Sequence, residues 1–162
     1  MEFSIELDAI DWRLLDLLQA DASLTNQALA EAAHVSPATA LRRVKRLREA
    51  GVVERFTVLL APAFAGRGLT ALCEVSLDRQ GAEHLDAFEA RVVAEAAVQQ
   101  CWRVSPGPDF MLAVWAPDMP GYLALSQRLF TQDANVRNVK AFFATKRAKF
   151  APTVPAPDRP AR

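Results

Sequence analysis

The sequence predicts an α+β fold in two parts: a head of three helices, then a four-stranded antiparallel sheet with two helices on one face. Three observations predict it. Capped amphipathic segments fill the first 50 positions. The later apolar runs alternate between strand and helix periods in the order βαββαβ. Between them, residues 61–68 read Ala-Pro-Ala-Phe-Ala-Gly-Arg-Gly, a break rich in Pro and Gly. At 162 residues the chain is long for one small domain and short for two large ones. The boundaries expected are 1–60 for the head, 61–68 for a hinge, 69–150 for the sheet domain and 151–162 for a tail. That tail holds prolines 152, 155, 157 and 160 with no apolar period, so it is expected to be extended and mobile unless a neighbouring subunit holds its start.

The first helix is read over 12–20, with Leu14, Leu15 and Leu18 on one side and Asp8 placed to cap it. The second, Asn26–Ala33, opens at Thr25. Leu29 and Ala33 repeat at helical spacing, and Ala28, Ala30 and Ala32 are small enough for close helix contact. His34 and Val35 turn the chain into the third helix, which has Ser36 as N-cap, Pro37 at the first helical position and Gly51 to stop it. On this helix Ala40, Leu41, Val44 and Leu47 are expected to pack, and Thr39, Arg42, Arg43 and Arg46 to face outward.

A basic helix alone often has only a solvated face. Two short helices joined by a tight turn, the second one basic, instead form a helix-turn-helix, whose second helix enters the DNA major groove. Pro37, Ala38, Thr39, Arg42 and Arg43 would then approach base edges and Arg46 the phosphates, with Ser36 and Lys45 completing the DNA-facing set. The β-branched run 52–60 reads as a strand, which makes the head a winged helix-turn-helix domain.

Net charge is zero, but it is segregated. Residues 1–35 carry seven acids against one arginine, a net of −6, and residues 36–55 carry six basic residues against two acids, a net of +4. The local field at the third helix therefore matters more than the sum. A chain without global positive charge should bind random DNA poorly at physiological salt and depend on specific sites.

In the second half Leu69–Leu77 reads as a strand, 81–97 as a helix carrying Leu85, Phe88, Val92 and Ala96, and 98–104 and 110–115 as strands. A second helix is read over 122–130 and a last strand over 136–145. This order implies a ferredoxin-like βαββαβ sandwich. Both helices cover one sheet face, so a second copy of the sheet is the simplest cover for the other, which predicts a homodimer.

Other classes find little support. No apolar run approaches ~18 residues, so no membrane partner is expected, and the first residues are not a signal sequence, so the chain reads as cytoplasmic and nucleoid-associated. Cys73 and Cys101 read as buried thiols, and with His34 and His84 they assemble no zinc constellation, so no metal is expected. No nucleophile beside a base, paired carboxylates or phosphate loop appears, and no enzyme and no cofactor are expected.

The motif Leu7-Asp8-x-x-Asp11, then Leu18-Gln19-x-Asp21, Leu29-Ala30, Ser36-Pro37, Arg42-Arg43-Val44-x-Arg46-Leu47 and Gly51 closely resembles the start of the Lrp/AsnC family of feast/famine transcription factors. The likeness continues through 57–62 and more loosely to about Lys149. It implies a sequence-specific regulator of amino-acid metabolism that binds double-stranded DNA. It also implies an ACT-like effector domain that pairs sheets in a homodimer, with dimers often assembling into an octamer. A small amino acid would sit at a subunit interface, on a turn ending Gly-x-x-Asp-aromatic.

Here Asp109-Phe110 match the end of that pattern, but Pro106 stands in the place of Gly, and Gly107 comes one residue late. Prolines 106 and 108 remove two backbone donors. The effector residues that the resemblance implies are Ser105, Gly107, Asp109, Phe110 and Thr131, with Asp109 facing the ammonium group. The cluster Lys146, Arg147 and Lys149 reads as a solvated strand end or a second DNA contact. Two alternatives stay open: an architectural, weakly selective DNA-compacting protein with no amino-acid effector, and a sensing module that acts on a protein partner.

Overall fold

The computed structural model describes residues 5–60 and 68–154, so positions 61–67 of the expected hinge and 155–162 of the expected tail lie outside the described residues. The chain forms two compact units. One holds the described residues up to 59 together with 150–154, and the other those of Leu60–Lys149.

The first unit is three helices. Helix α1 (Ala9–Ala20) starts three residues before the expected position because Asp8 and Asp11 form a reciprocal cap. Asp8 Oδ1 accepts from the amides of Ile10 and Asp11, and Asp11 Oδ2 accepts from the Asp8 amide at 3.1 Å. Helix α2 (Asn26–Ala33) is capped by Thr25 and ends at His34, whose φ of 57° is the left-handed stop. Helix α3 (Pro37–Glu49) starts at Ser36 and is closed by Gly51 at φ 73°, after which the Val52 amide donates back to Leu47 O at 3.0 Å. Leu14, Leu29, Ala30, Ala33 and Ala40 form the buried centre, and the alanines let α2 lie close to its neighbours. Side-chain bonds to backbone fix the angles: Arg13 donates to Ala33 O and Asn26 to Pro37 O.

Three expectations change here. The run 52–60 forms no strand, because no strand of this unit lies alongside to pair with it, and Val58, Leu59 and Leu60 are exposed. Leu41 is 62% exposed instead of packed. Measured around the helix, Leu41 lies about 100° from Ala40 while Arg43 lies only about 60° away, so Arg43 occupies the edge of the packed stripe. The start of the tail is held within the chain: the Gln19 amide accepts from Val154 N at 2.7 Å and donates to Val154 O at 2.9 Å.

The second unit is a four-stranded antiparallel sheet of β1 (Leu69–Leu77), β2 (Val98–Arg103), β3 (Phe110–Ala116) and β4 (Val136–Phe143), in the order β2-β3-β1-β4. Alternation along β1 and β3 buries Ala71, Cys73, Val75, Leu77, Phe110, Leu112, Val114 and Ala116 on one face. Helices α4 (Ala82–Val93) and α5 (Met119–Ser126) cover that face with Phe88, Val92, Tyr122 and Leu125, and a π-turn at Gln127–Thr131 adds Leu129 and Phe130. Helix α4 is shorter than expected, with Ala94 as its C-cap. Helix α5 starts earlier because Asp118 caps it, its Oδ1 accepting from the Gly121 amide at 2.7 Å. Cys73 and Cys101 both stand opposite Leu112, from the strands on either side of it. Two strand spacings of roughly 4.8 Å put them beyond disulfide reach.

Candidate nucleic-acid interface and effector site

Helix α3 carries the expected DNA-facing residues, and the structure sorts them into three kinds. Ser36, Pro37, Ala38, Arg42 and Lys45 are exposed, while Thr39 is half-buried. Ser36 Oγ accepts from the Thr39 amide at 3.2 Å and lies 2.9 Å from the Thr39 hydroxyl, so both hydroxyls take part in the cap. Lys45 pairs loosely with Glu49 one turn on, at 3.7 Å between two exposed side chains, an interaction worth little.

Arg43 and Arg46 differ from these. Arg43 Nη1 donates to Asp8 Oδ2 at 2.7 Å and to Asp11 Oδ1 at 2.9 Å, and Arg46 Nη2 donates to Asp11 Oδ2 at 2.6 Å. Asp11 is fully buried, the only charged residue so placed among the described residues. The Asp11 backbone amide, with the Arg43 guanidinium, holds the Asp8 carboxyl down at about 2. The Asp8 and Asp11 carboxylates raise Arg43 in turn. The two arginines thus bridge the recognition helix to the start of α1 as well as carrying charge.

In the second unit the turn between β2 and β3 holds most of the expected effector residues. Ser105 and Gly107 are exposed, and Gly107 sits at φ 125°. Asp109 is tied into the sheet: its amide donates to Val75 O at 2.9 Å, and its Oδ2 accepts from the Leu77 amide at 2.7 Å. Phe110 lies in the core, its ring 4.8 Å from that of Phe88, so it is placed to support the turn and not to touch a ligand there. Thr131 is exposed at the end of the π-turn.

An open depression of about 440 Å³ lies beside the turn, lined by Gln80, Leu85, Arg103, Val104, Ser105 and Asp109. It brings together Ser105 and Asp109 of the expected set, but not Gly107, Phe110 or Thr131. Arg103 is the residue that sequence reasoning missed. Its guanidinium bonds to Asp86 and Glu89 of α4 at 2.7 and 2.6 Å and lies 5.7 Å from the Phe110 ring centre. The signal was there in principle, since Asp86 and Glu89 stand three apart on one helix face. Only the pairing of β2 beside that helix reveals the partner.

Known proteins agree with this architecture. Residues 7–54 match the family model described as winged helix-turn-helix DNA-binding, and residues 70–154 match the Lrp/AsnC ligand binding domain. The chain is 36% identical to the leucine-responsive regulatory protein of Rhizobium meliloti, over 93% of this chain and 97% of that protein. It is 32% identical to the DNA-binding transcriptional activator DecR of Escherichia coli, over 92% of this chain and 98% of that one. Among solved structures, a transcriptional regulator of Neisseria meningitidis in complex with L-Met superposes with a TM-score of 0.84 at 29% identity, covering 93% of this chain and 97% of that one. An AsnC family regulator of Agrobacterium tumefaciens gives 0.84 at 28% identity, covering 92% and 97%. These relatives are regulators and not enzymes, and with both halves matched in the right order the chain belongs to the Lrp/AsnC family of DNA-binding transcriptional regulators.

Proposed function

We propose that the chain is a sequence-specific regulator of amino-acid metabolism that acts as a dimer at the nucleoid, in the cytoplasm. Two α3 helices would read half-sites of a roughly palindromic operator, one or more helical turns apart. The observation that carries this reading is the N-terminal half of α3 and its cap, where the side chains of Ser36, Pro37, Ala38 and Arg42 are exposed. Of the cations on that helix, Arg42 is the exposed one closest to its N-terminus, where a recognition helix meets base edges.

A small amino acid at the 105–109 turn would modulate binding by changing how subunits are arranged, which is allostery through assembly. The depression holding Ser105 and Asp109 supports this, as does the L-Met bound by the Neisseria relative. The prolines at 106 and 108 favour a second reading, an architectural DNA-compacting protein with no amino-acid effector, since they withhold two backbone donors from a ligand carboxylate.

The test is selection of duplexes from a random pool, followed by titration of the selected and scrambled sequences. Arg42→Ala should lose ~1–3 kcal/mol of discrimination at one base position if Arg42 reads a base. Equal loss on every duplex would demote Arg42 to a phosphate contact. Equal affinity of the native chain for selected and scrambled DNA would favour the architectural reading.

A further inference from the structure

We propose that Asp11 is a positioning residue of the DNA interface. Its buried carboxylate, with that of Asp8 beside it, holds the Arg43 and Arg46 guanidiniums against α1, so that DNA contact falls on Arg42 and the first turn of α3. The inference rests on α3 being the DNA-facing helix.

The geometry separates neighbours that look alike in sequence. Arg42 is exposed, whereas the Arg43 side chain is only 18% exposed and bonds to two carboxylates. Arg46 is more open at 43%, yet bonds to Asp11 at 2.6 Å. A carboxylate with no solvent access is tolerated only while it is paired and hydrogen-bonded. Release of both arginines to DNA phosphates would strand Asp11 unpaired, so the buried side of the cluster opposes it. Two carboxylates against two guanidiniums also cancel locally, which removes half of the net +4 of residues 36–55 from the field that DNA meets. The cluster therefore lowers non-selective attraction while fixing α3 against α1.

Asp11→Asn isolates the charge. Asparagine has the same shape and retains an acceptor for the Asp8 amide, but it no longer holds two cations. The experiment is a titration of the full chain by fluorescence anisotropy, on a duplex selected by the native protein and on a scrambled one, over a salt series. In the variant, the dependence of log affinity on log salt should steepen by about 0.9 for each arginine released to a phosphate, thus by about 1 to 2 in all. The ratio of selected to scrambled affinity should fall at the same time. A merely structural role would lower the melting temperature and leave both readouts of the folded fraction unmoved, which overturns the proposal.

If Asp11→Asn does not fold, Asp8→Asn serves instead. It keeps an N-cap acceptor and removes one carboxylate from Arg43, so the slope should steepen by about half as much, and an unchanged slope overturns the proposal equally. Failure of the native chain to bind any duplex at low salt removes the DNA interface itself, and the inference with it. That result is distinct from a native chain that binds while the variants do not differ.

Discussion

Asp109 already accepts a hydrogen bond from the Leu77 amide through one oxygen, so an effector's ammonium group would meet the other. Two consequences separate. Asp109→Ala leaves the amide of buried Leu77 without its acceptor and should lower stability by ~1–3 kcal/mol whether or not an effector exists. If the turn binds an amino acid, calorimetric titration with the twenty amino acids should give a saturable signal in the native chain that the variant loses. Silence of the native chain across the panel would mean that prolines 106 and 108 close the turn to such ligands. Asp8 gives a second expectation, in pH. Its folded-state carboxyl sits at about 2, below its ordinary value near 3.8, so it stabilises the fold above that ordinary value. This stability is lost as pH falls from about 4 towards 2, when Asp8 protonates and lets go of Arg43 and the Asp11 amide. Acid unfolding of the native chain and of Asp8→Asn should therefore differ most above pH 4 and converge as pH falls towards 2. Parallel curves would show that the exposed carboxylate carries no net linkage.

Helix α3 depends on how it stops as much as on how it starts. Gly51 turns at φ 73°, and a β-carbon there would meet nothing within 4 Å, so Gly51→Ala should carry only the backbone penalty of ~1–2 kcal/mol, read as a lower melting temperature with the fold kept. A loss well above that would imply a contact at Gly51 not seen here. The punctuation of all three helices was legible from sequence because caps are local chemistry: Asp8, Thr25, Ser36 and Gly51 act within three or four residues of themselves. The sheet elements were legible by their alternation. What escaped needed a partner across space. A run such as 52–60 has strand composition, yet it cannot be a strand in a unit that supplies no ladder. Charge groups Arg43 with Arg42, although its angle on the helix places it beside Ala40 and Leu47. The motif groups Phe110 with a ligand turn, although strand alternation buries it with Leu112 and Val114. In each case residue type competed with position, and position decided.

At the scale of the whole molecule, two small units each enclose a modest core, so association should supply part of the stability. The sheet offers the surface. Its helix-free face exposes Leu72, which stands opposite Phe142 on β4, together with Trp102 on β2, and all three are large apolar side chains left to solvent in the single chain. The Glu74–Lys140 pair shares this face, and a second copy would cover its exposed apolar side chains with the fewest assumptions. Phe142 is 52% exposed and absent from the helix-side core, so Phe142→Glu should leave the single-chain fold intact while placing a charge on the face that a second copy would cover. Sedimentation equilibrium should then find twice 17.8 kDa or a multiple for the native chain and a shift towards 17.8 kDa for the variant. DNA affinity should fall with it, because a single recognition helix loses the second half-site that tethering provides. A native chain that sediments at 17.8 kDa and still discriminates its selected duplex would sink the dimeric reading. Discrimination would then rest on one α3 helix alone, with Arg42 as the exposed cation nearest its N-terminus.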